Sequence, residues 1–195
     1  FYLWCYSPSS ADLIAPLSSA LGMDEEALWR RTVYDCVDRH SAYPGQIDPR
    51  VVDGMEEDLV RKAGTVFTTA QGLFDRLSVW NPRTFLIPNG VDYPLFSSVA
   101  ELVPGAGSPL TFGFVGMLQE CIDYECIRAV SKGFPEGRVV LVGRALPGVD
   151  LSWLEDHPNI VFHGLVPQQE LPNILGGFHV CLNVFAPGKL SEDVS

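Results

Sequence analysis

Short apolar runs recur along the first half of the chain, at Phe1–Tyr6, Thr32–Val37, Thr65–Thr68 and Thr84–Ile87. They are rich in β-branched and aromatic residues, as strands are. Between them, apolar positions return at helical spacing over Ala11–Leu21, Asp24–Arg31, Gly54–Ala63 and Ala70–Val79. Asp24 stands where an N-cap belongs, with Glu25 and Glu26 behind it, and acids suit the positive end of a helix. Continuously apolar strands alternating with such helices predict a parallel sheet covered on both faces.

The rhythm breaks at Asn89–Pro109, where Pro94, Pro104, Gly105, Gly107 and Pro109 punctuate a stretch with no regular apolar period. It resumes as strands at Leu110–Val115, Arg138–Val142, Ile160–Phe162 and His179–Asn183. Helical patterns at Cys121–Lys132, Leu151–Asp156 and Gln168–Leu175 separate them. The expected division is residues 1–95, a linker over 96–109, and residues 110–195. The expected fold class is α/β, two parallel-sheet lobes of about four strands each, where a complete doubly wound domain usually has five or six.

Composition narrows the possible functions. At 195 residues, 47% apolar and 19% charged, the chain has the make-up of a globular protein rather than a disordered one. No apolar run approaches the roughly 20 residues that span a bilayer. The opening Phe1–Tyr6 has neither the basic segment nor the cleavage pattern of a secretion signal, so no signal peptide is expected, and the cysteines read as those of a reducing, cytoplasmic setting. Thirteen Lys and Arg against 24 Asp and Glu give a net charge of −11, and neither half carries a basic excess. Neither a nucleic-acid partner nor a strongly electropositive membrane face is expected. Five cysteines without a Cys-x-x-Cys pair read as small buried hydrophobes rather than metal or redox ligands.

Four segments of the first half carry a resemblance when taken in order: Val33-Tyr34-Asp35-Cys36-Val37-Asp38, Met55–Ala63, Val66-Phe67-Thr68-Thr69-Ala70 and Ile87-Pro88-Asn89-Gly90-Val91-Asp92. The second half continues it with Phe112–Met117, Val139–Arg144, Pro158–Gly164 and Glu170-Leu171-Pro172. The ordered set resembles the family 4-type bacterial glycosyltransferases, and more narrowly their teichuronic-acid and exopolysaccharide subgroup. That resemblance implies a GT-B architecture of two Rossmann-like lobes, the acceptor held mainly by the first and the nucleotide sugar by the second. It further implies a retaining hexosyltransferase reaction without a divalent metal or other cofactor. The donor would be a UDP- or GDP-linked sugar and the acceptor a glycan or lipid-linked molecule. The family's opening glycine-containing βα unit and closing glutamate-containing donor helix have no counterpart here. The chain thus corresponds to the central part of such an enzyme, expected to be inactive alone, with membrane contact at most peripheral and through the missing parts.

Each candidate site residue has two readings. Gly116 and Met117 follow a strand and precede a helix, where unpaired N–H groups suit a diphosphate; the plain alternative is a tight turn. Relatives usually place arginine and lysine in this loop, whereas Met117–Cys126 has neither and adds Glu120, Asp123 and Glu125. Gly143 and Arg144 end the next strand, so Arg144 is either a phosphate-binding cation or surface. Gly164, Leu165 and Val166 end the third, where relatives hold the nucleobase. Lys189 lies in the segment matching the family's donor loop. In the first half, Asp38 and then Asp35 are the catalytic or acceptor-orienting candidates, against local backbone capping. Period-two alternation would set Asp35 and Val37 on one side of the strand, and Cys36 and Asp38 on the other. His157, His163 and His179 lack metal-ligand spacing, so no metal site is expected. Two rival functions stand beside the transferase: a non-catalytic sugar- or nucleotide-binding α/β module, and a GT-B-fold nucleotide-sugar epimerase.

Overall fold

The structure is a computed structural model that describes residues 1–42, 47–97, 99, 104, 105 and 107–187. The described chain separates into two compact units, Phe1–Gly90 and Val91–Pro187.

The first unit holds strands β1 (Leu3–Cys5), β2 (Thr32–Cys36), β3 (Thr65–Thr68) and β4 (Thr84–Leu86), all parallel and in sequence order across the sheet. Its helices are α1 (Ile14–Leu21), α2 (Glu25–Trp29), α3 (Pro49–Lys62) and α4 (Gln71–Leu77), with 3-10 turns at Pro8–Leu13 and His40–Ala42. Asp24 caps α2, its side chain accepting from the Ala27 N–H at 2.9 Å. Helix α3 begins five positions before the apolar pattern does, because Asp48 caps it and Pro49 occupies its first turn.

Parallel connections are right-handed, so a strand order that always advances the same way puts every helix on one face. Tyr34, Cys36 and Val66 accordingly form one buried cluster with Ile14, Leu28, Leu59, Val60, Leu73 and Leu77. The sequence pattern predicted cover on both faces, and the topology corrects this. Among the described residues, Trp4, Asp35, Phe67 and Phe85 lie on the uncovered face, with Trp4 49% and Phe85 52% exposed.

In the second unit, α5 (Tyr93–Phe96) is a single turn capped by Asp92, inside the stretch whose composition read as linker. Strands β5 (Thr111–Val115), β6 (Arg138–Val142), β7 (Ile160–Gly164) and β8 (Val180–Cys181) form a parallel sheet in the order β7-β6-β5-β8. Helix α6 (Tyr124–Gly133) links β5 to β6, and α7 (Leu171–Leu175) lies between β7 and β8. Because β8 returns to the far side of β5, this sheet is covered twice. Phe112, Phe114, Ile127, Val139 and Leu141 form one cluster, and Val140, Val142 and Phe178 form another. Cys5 and Cys36 are buried as expected, but Cys181 is exposed on β8, a two-residue strand that among the described residues pairs with β5 alone.

Candidate functional site

The turns after β5, β6 and β7 lie side by side along the carboxyl edge of the second sheet, where ligands of open α/β sheets bind. A cavity of about 340 Å³ opens there. Gly116 and Met117 line it from the first turn, Gly143 and Arg144 from the second, Leu165 and Val166 from the third. Six of the expected donor-side residues thus meet in one place. Gly164 stands beside them, its carbonyl accepting from the Gly143 N–H at 2.8 Å. Lys189 lies outside the described residues.

Packing between the turns explains why glycine is required at one of them. Gly143 adopts φ +138°, and a Cβ there would meet the Gly116 carbonyl oxygen at 1.8 Å. No side chain fits. The same closeness consumes backbone donors. The Gly116 N–H donates to the Val142 carbonyl at 2.9 Å, so neither it nor that of Gly143 stands unpaired as the sequence reading expected. The nearest helix start is also occupied: α6 begins only at Tyr124, and the Asp123 side chain accepts from the Cys126 N–H at 2.9 Å. Glu125 is paired with Arg128 on the same helix. What remains is an apolar slot walled by Met117, Leu165, Val166 and Leu171, with Arg144 exposed at its lining. No ion pair among the described residues involves Arg144. Such a slot suits a flat ring beside an anion.

The first unit holds a second cavity, of about 400 Å³, at the carboxyl ends of its strands. Asp35 and Val37 line it while Cys36 is buried on the other face, the alternation expected. Asp38 is not in that lining; its carbonyl accepts from the Cys36 Sγ at 3.4 Å. Of the two candidate carboxylates, Asp35 is the one that lines this cavity.

Beneath this strand end lies a cluster that sequence reasoning missed. Glu56, only 1% exposed, accepts from the Tyr34 hydroxyl at 2.6 Å and from the Cys36 thiol at 3.5 Å, and pairs with Arg76 at 2.6 Å. Burial and then the Glu56 carboxylate push the Cys36 thiol up to about 12. Burial, with the neighbouring Cys36 and Glu56, raises Tyr34 far above its ordinary range. Burial works against the Arg76 charge, and the Glu56 carboxylate outweighs it, leaving the guanidinium above its usual value. The signal was present in the pattern: Glu56 occupies the same helical stripe as Leu59, Val60 and Ala63, where an acid needs a partner.

The two four-stranded parallel α/β units match the fold of solved GT-B glycosyltransferases. Among solved structures, Anabaena HepE in complex with UDP and glucose is similar at TM-score 0.66 and 16% identity, covering 95% of this chain and 53% of that one. Sucrose-phosphate synthase from Thermosynechococcus elongatus is similar at TM-score 0.63 and 17% identity, covering 89% of this chain and 53% of that one. A mutant of S. aureus TarM, in complex with fondaparinux, α-GlcNAc-glycerol and UDP, gives TM-score 0.54 at 11% identity, over 91% of this chain and 35% of that one. The chain spans about half the length of HepE and of sucrose-phosphate synthase. No family model and no curated protein matches it.

Proposed function

We propose that this chain is part of a glycosyltransferase that moves a sugar from a nucleoside diphosphate to a glycan or lipid-linked acceptor. The observation that carries the reading is the second-unit cavity, where Gly116, Gly143 and Gly164 mark adjacent strand ends and Arg144 supplies a cation. HepE, of the same fold, has been solved with UDP and with UDP-glucose, and this supports a nucleotide sugar as donor. In this reading Leu165 and Val166 face the nucleobase, Arg144 the diphosphate, and Lys189 belongs to the donor side. Asp35 is the acceptor-orienting carboxylate, and Asp38 acts from the turn that follows. The resemblance to the teichuronic-acid and exopolysaccharide enzymes adds a retaining outcome, no divalent metal, and a bacterial cytoplasmic setting, at most peripheral to the membrane. Among the described residues, no helix is long and apolar enough to cross a membrane.

The test is calorimetric titration of the full-length protein with UDP and GDP. A charge-assisted hydrogen bond contributes about 1.5–3 kcal/mol, so Arg144→Ala should weaken nucleoside-diphosphate binding at least tenfold. Arg138→Ala, at the opposite end of β6, should leave it unchanged. Equal affinity for Arg144→Ala and the unmodified protein would remove Arg144 from the donor site. A second reading, a non-catalytic sugar- or nucleotide-binding module, is favoured by the absence of lysine and arginine from Met117–Cys126. Nucleotide binding by the full-length protein without sugar release or transfer would select it.

A further inference from the structure

The turn after β5 is tied down on both sides. The Leu118 N–H donates to the Arg144 carbonyl at 3.0 Å, and the Leu146 N–H donates to the Leu118 carbonyl at 2.9 Å. Together they make a parallel bridge between Leu118 and Ala145, just beyond the carboxyl edge of the sheet. On the other side Ile122 and Phe185 form an antiparallel bridge. There the Asp123 N–H donates to the Val184 carbonyl at 3.2 Å and the Ala186 N–H to the Cys121 carbonyl at 2.8 Å. Leu118 is wholly buried and Ile122 is 3% exposed, both packed in the cluster of Phe112 and Leu141. An apolar anchor at each end therefore holds this loop as an extension of the sheet rather than as an open cradle for phosphate. The Leu118, Ile122 and Asp123 N–H groups are all bonded within the protein.

Arg144 is the residue this arrangement steadies. It follows Gly143, a residue type that leaves the chain freer to turn than any other. The bond from the Gly143 N–H to the Gly164 carbonyl, at 2.8 Å, fixes the chain on the entry side of Arg144. Leu118 fixes it on the exit side, because its N–H and its carbonyl grip the chain at Arg144 and at Leu146. We propose that Leu118 is a positioning residue for the donor site: buried beneath the loop, it clamps the Arg144 backbone so that the guanidinium is presented along the slot. The inference rests on the donor reading of Arg144. The loop after β5 then serves the phosphates through Arg144 instead of touching them, which accounts for a loop without lysine or arginine. A cation whose Cα is already in place loses less freedom when the ligand arrives, and a supporting residue that lets it drift weakens the bond it makes.

Calorimetric titration of the full-length protein with UDP reads the clamp as a double-mutant cycle. Leu118→Ala should weaken UDP binding about fivefold or more, and in an Arg144→Ala background the same substitution should change it by less than about twofold. Uridine, which carries no phosphate, should bind Leu118→Ala and the unmodified protein within about twofold of each other. Leu118→Met, which keeps the buried volume, should restore UDP affinity. Circular dichroism checks that each variant folds. If Leu118→Ala does not, Leu118→Val takes its place, with a loss of about threefold expected. If GDP binds more tightly than UDP, GDP and guanosine are the probes. Equal losses of affinity in the two backgrounds, equal losses for uridine and UDP, or no loss at all would each overturn the clamp while leaving the donor reading of Arg144 standing. Unchanged UDP affinity in Arg144→Ala would overturn that reading and the clamp with it, so the two failures are told apart.

Discussion

At the residue scale, the buried Glu56–Arg76–Tyr34–Cys36 cluster couples stability to alkaline pH. Cys36 holds its proton more tightly in the folded chain than in the unfolded one, because burial and the Glu56 carboxylate disfavour a thiolate. A raised folded value adds stability that is complete below the ordinary thiol range, near 8.5–9. That stability is lost as pH climbs from there towards about 12. Tyr34, raised beside it, acts in the same direction at higher pH. Urea unfolding should therefore show stability falling above pH ~9 by up to about 1.4 kcal/mol per pH unit per titrating group. Cys36→Ala should make that fall shallower, and an unchanged slope would assign the loss to other groups. Of the site, the glycine-ended strands and Arg144 were legible because strand ends and turn residues are local in sequence. Glu56 and Trp4 were not, since their partners stand 20 to 31 positions away and only the sheet register brings Trp4 to Asp35.

Elements meet through shape, and β5 shows how tightly. Phe112 and Phe114 point to one cluster, while Gly113 between them faces the other side, where a Cβ would meet the Phe178 ring at 1.9 Å. The glycine makes room for the residue that closes the return to β8. Gly113→Val should destabilise the second unit by about 1–3 kcal/mol or more through overpacking. Adding Phe178→Ala should recover part of that loss, a coupling measurable as a double-mutant cycle in urea. Additive costs would mean that Phe178 is not what the glycine accommodates. Most strands were visible as apolar runs, and Thr65–Thr68 and Arg138–Val142 coincide with their runs. Helix starts were less visible because caps override the apolar period. Asp48 with Pro49 extends α3, and Asp123 delays α6 to Tyr124. The chemistry of the turns also settles where histidines go: His157 bonds Ser131 at 2.9 Å, and His179 accepts from the Thr111 N–H at 3.0 Å.

At the scale of the whole molecule, each unit draws its buried clusters from its own residues, one side from Cys5 to Leu77 and the other from Phe112 to Phe178. Domains with separate cores unfold separately unless a large apolar interface joins them. The two are unequal. The second sheet is covered on both faces, whereas the first leaves Trp4 and Phe85 exposed, and a parallel sheet gains less from burial when one face is wet. Heating should therefore give two transitions, the first unit melting at the lower temperature. The tryptophans report this directly, since Trp4, Trp29 and Trp80 belong to the first unit and Trp153 to the second. In Trp153→Phe, indole fluorescence should follow the lower transition alone, while far-ultraviolet dichroism follows both. Limited proteolysis below the first transition should cut within residues 96–109 and leave two protected fragments. A single transition seen identically by both probes, with early cleavage inside Thr111–Val142 instead, would show one cooperative body and remove the two-lobe division.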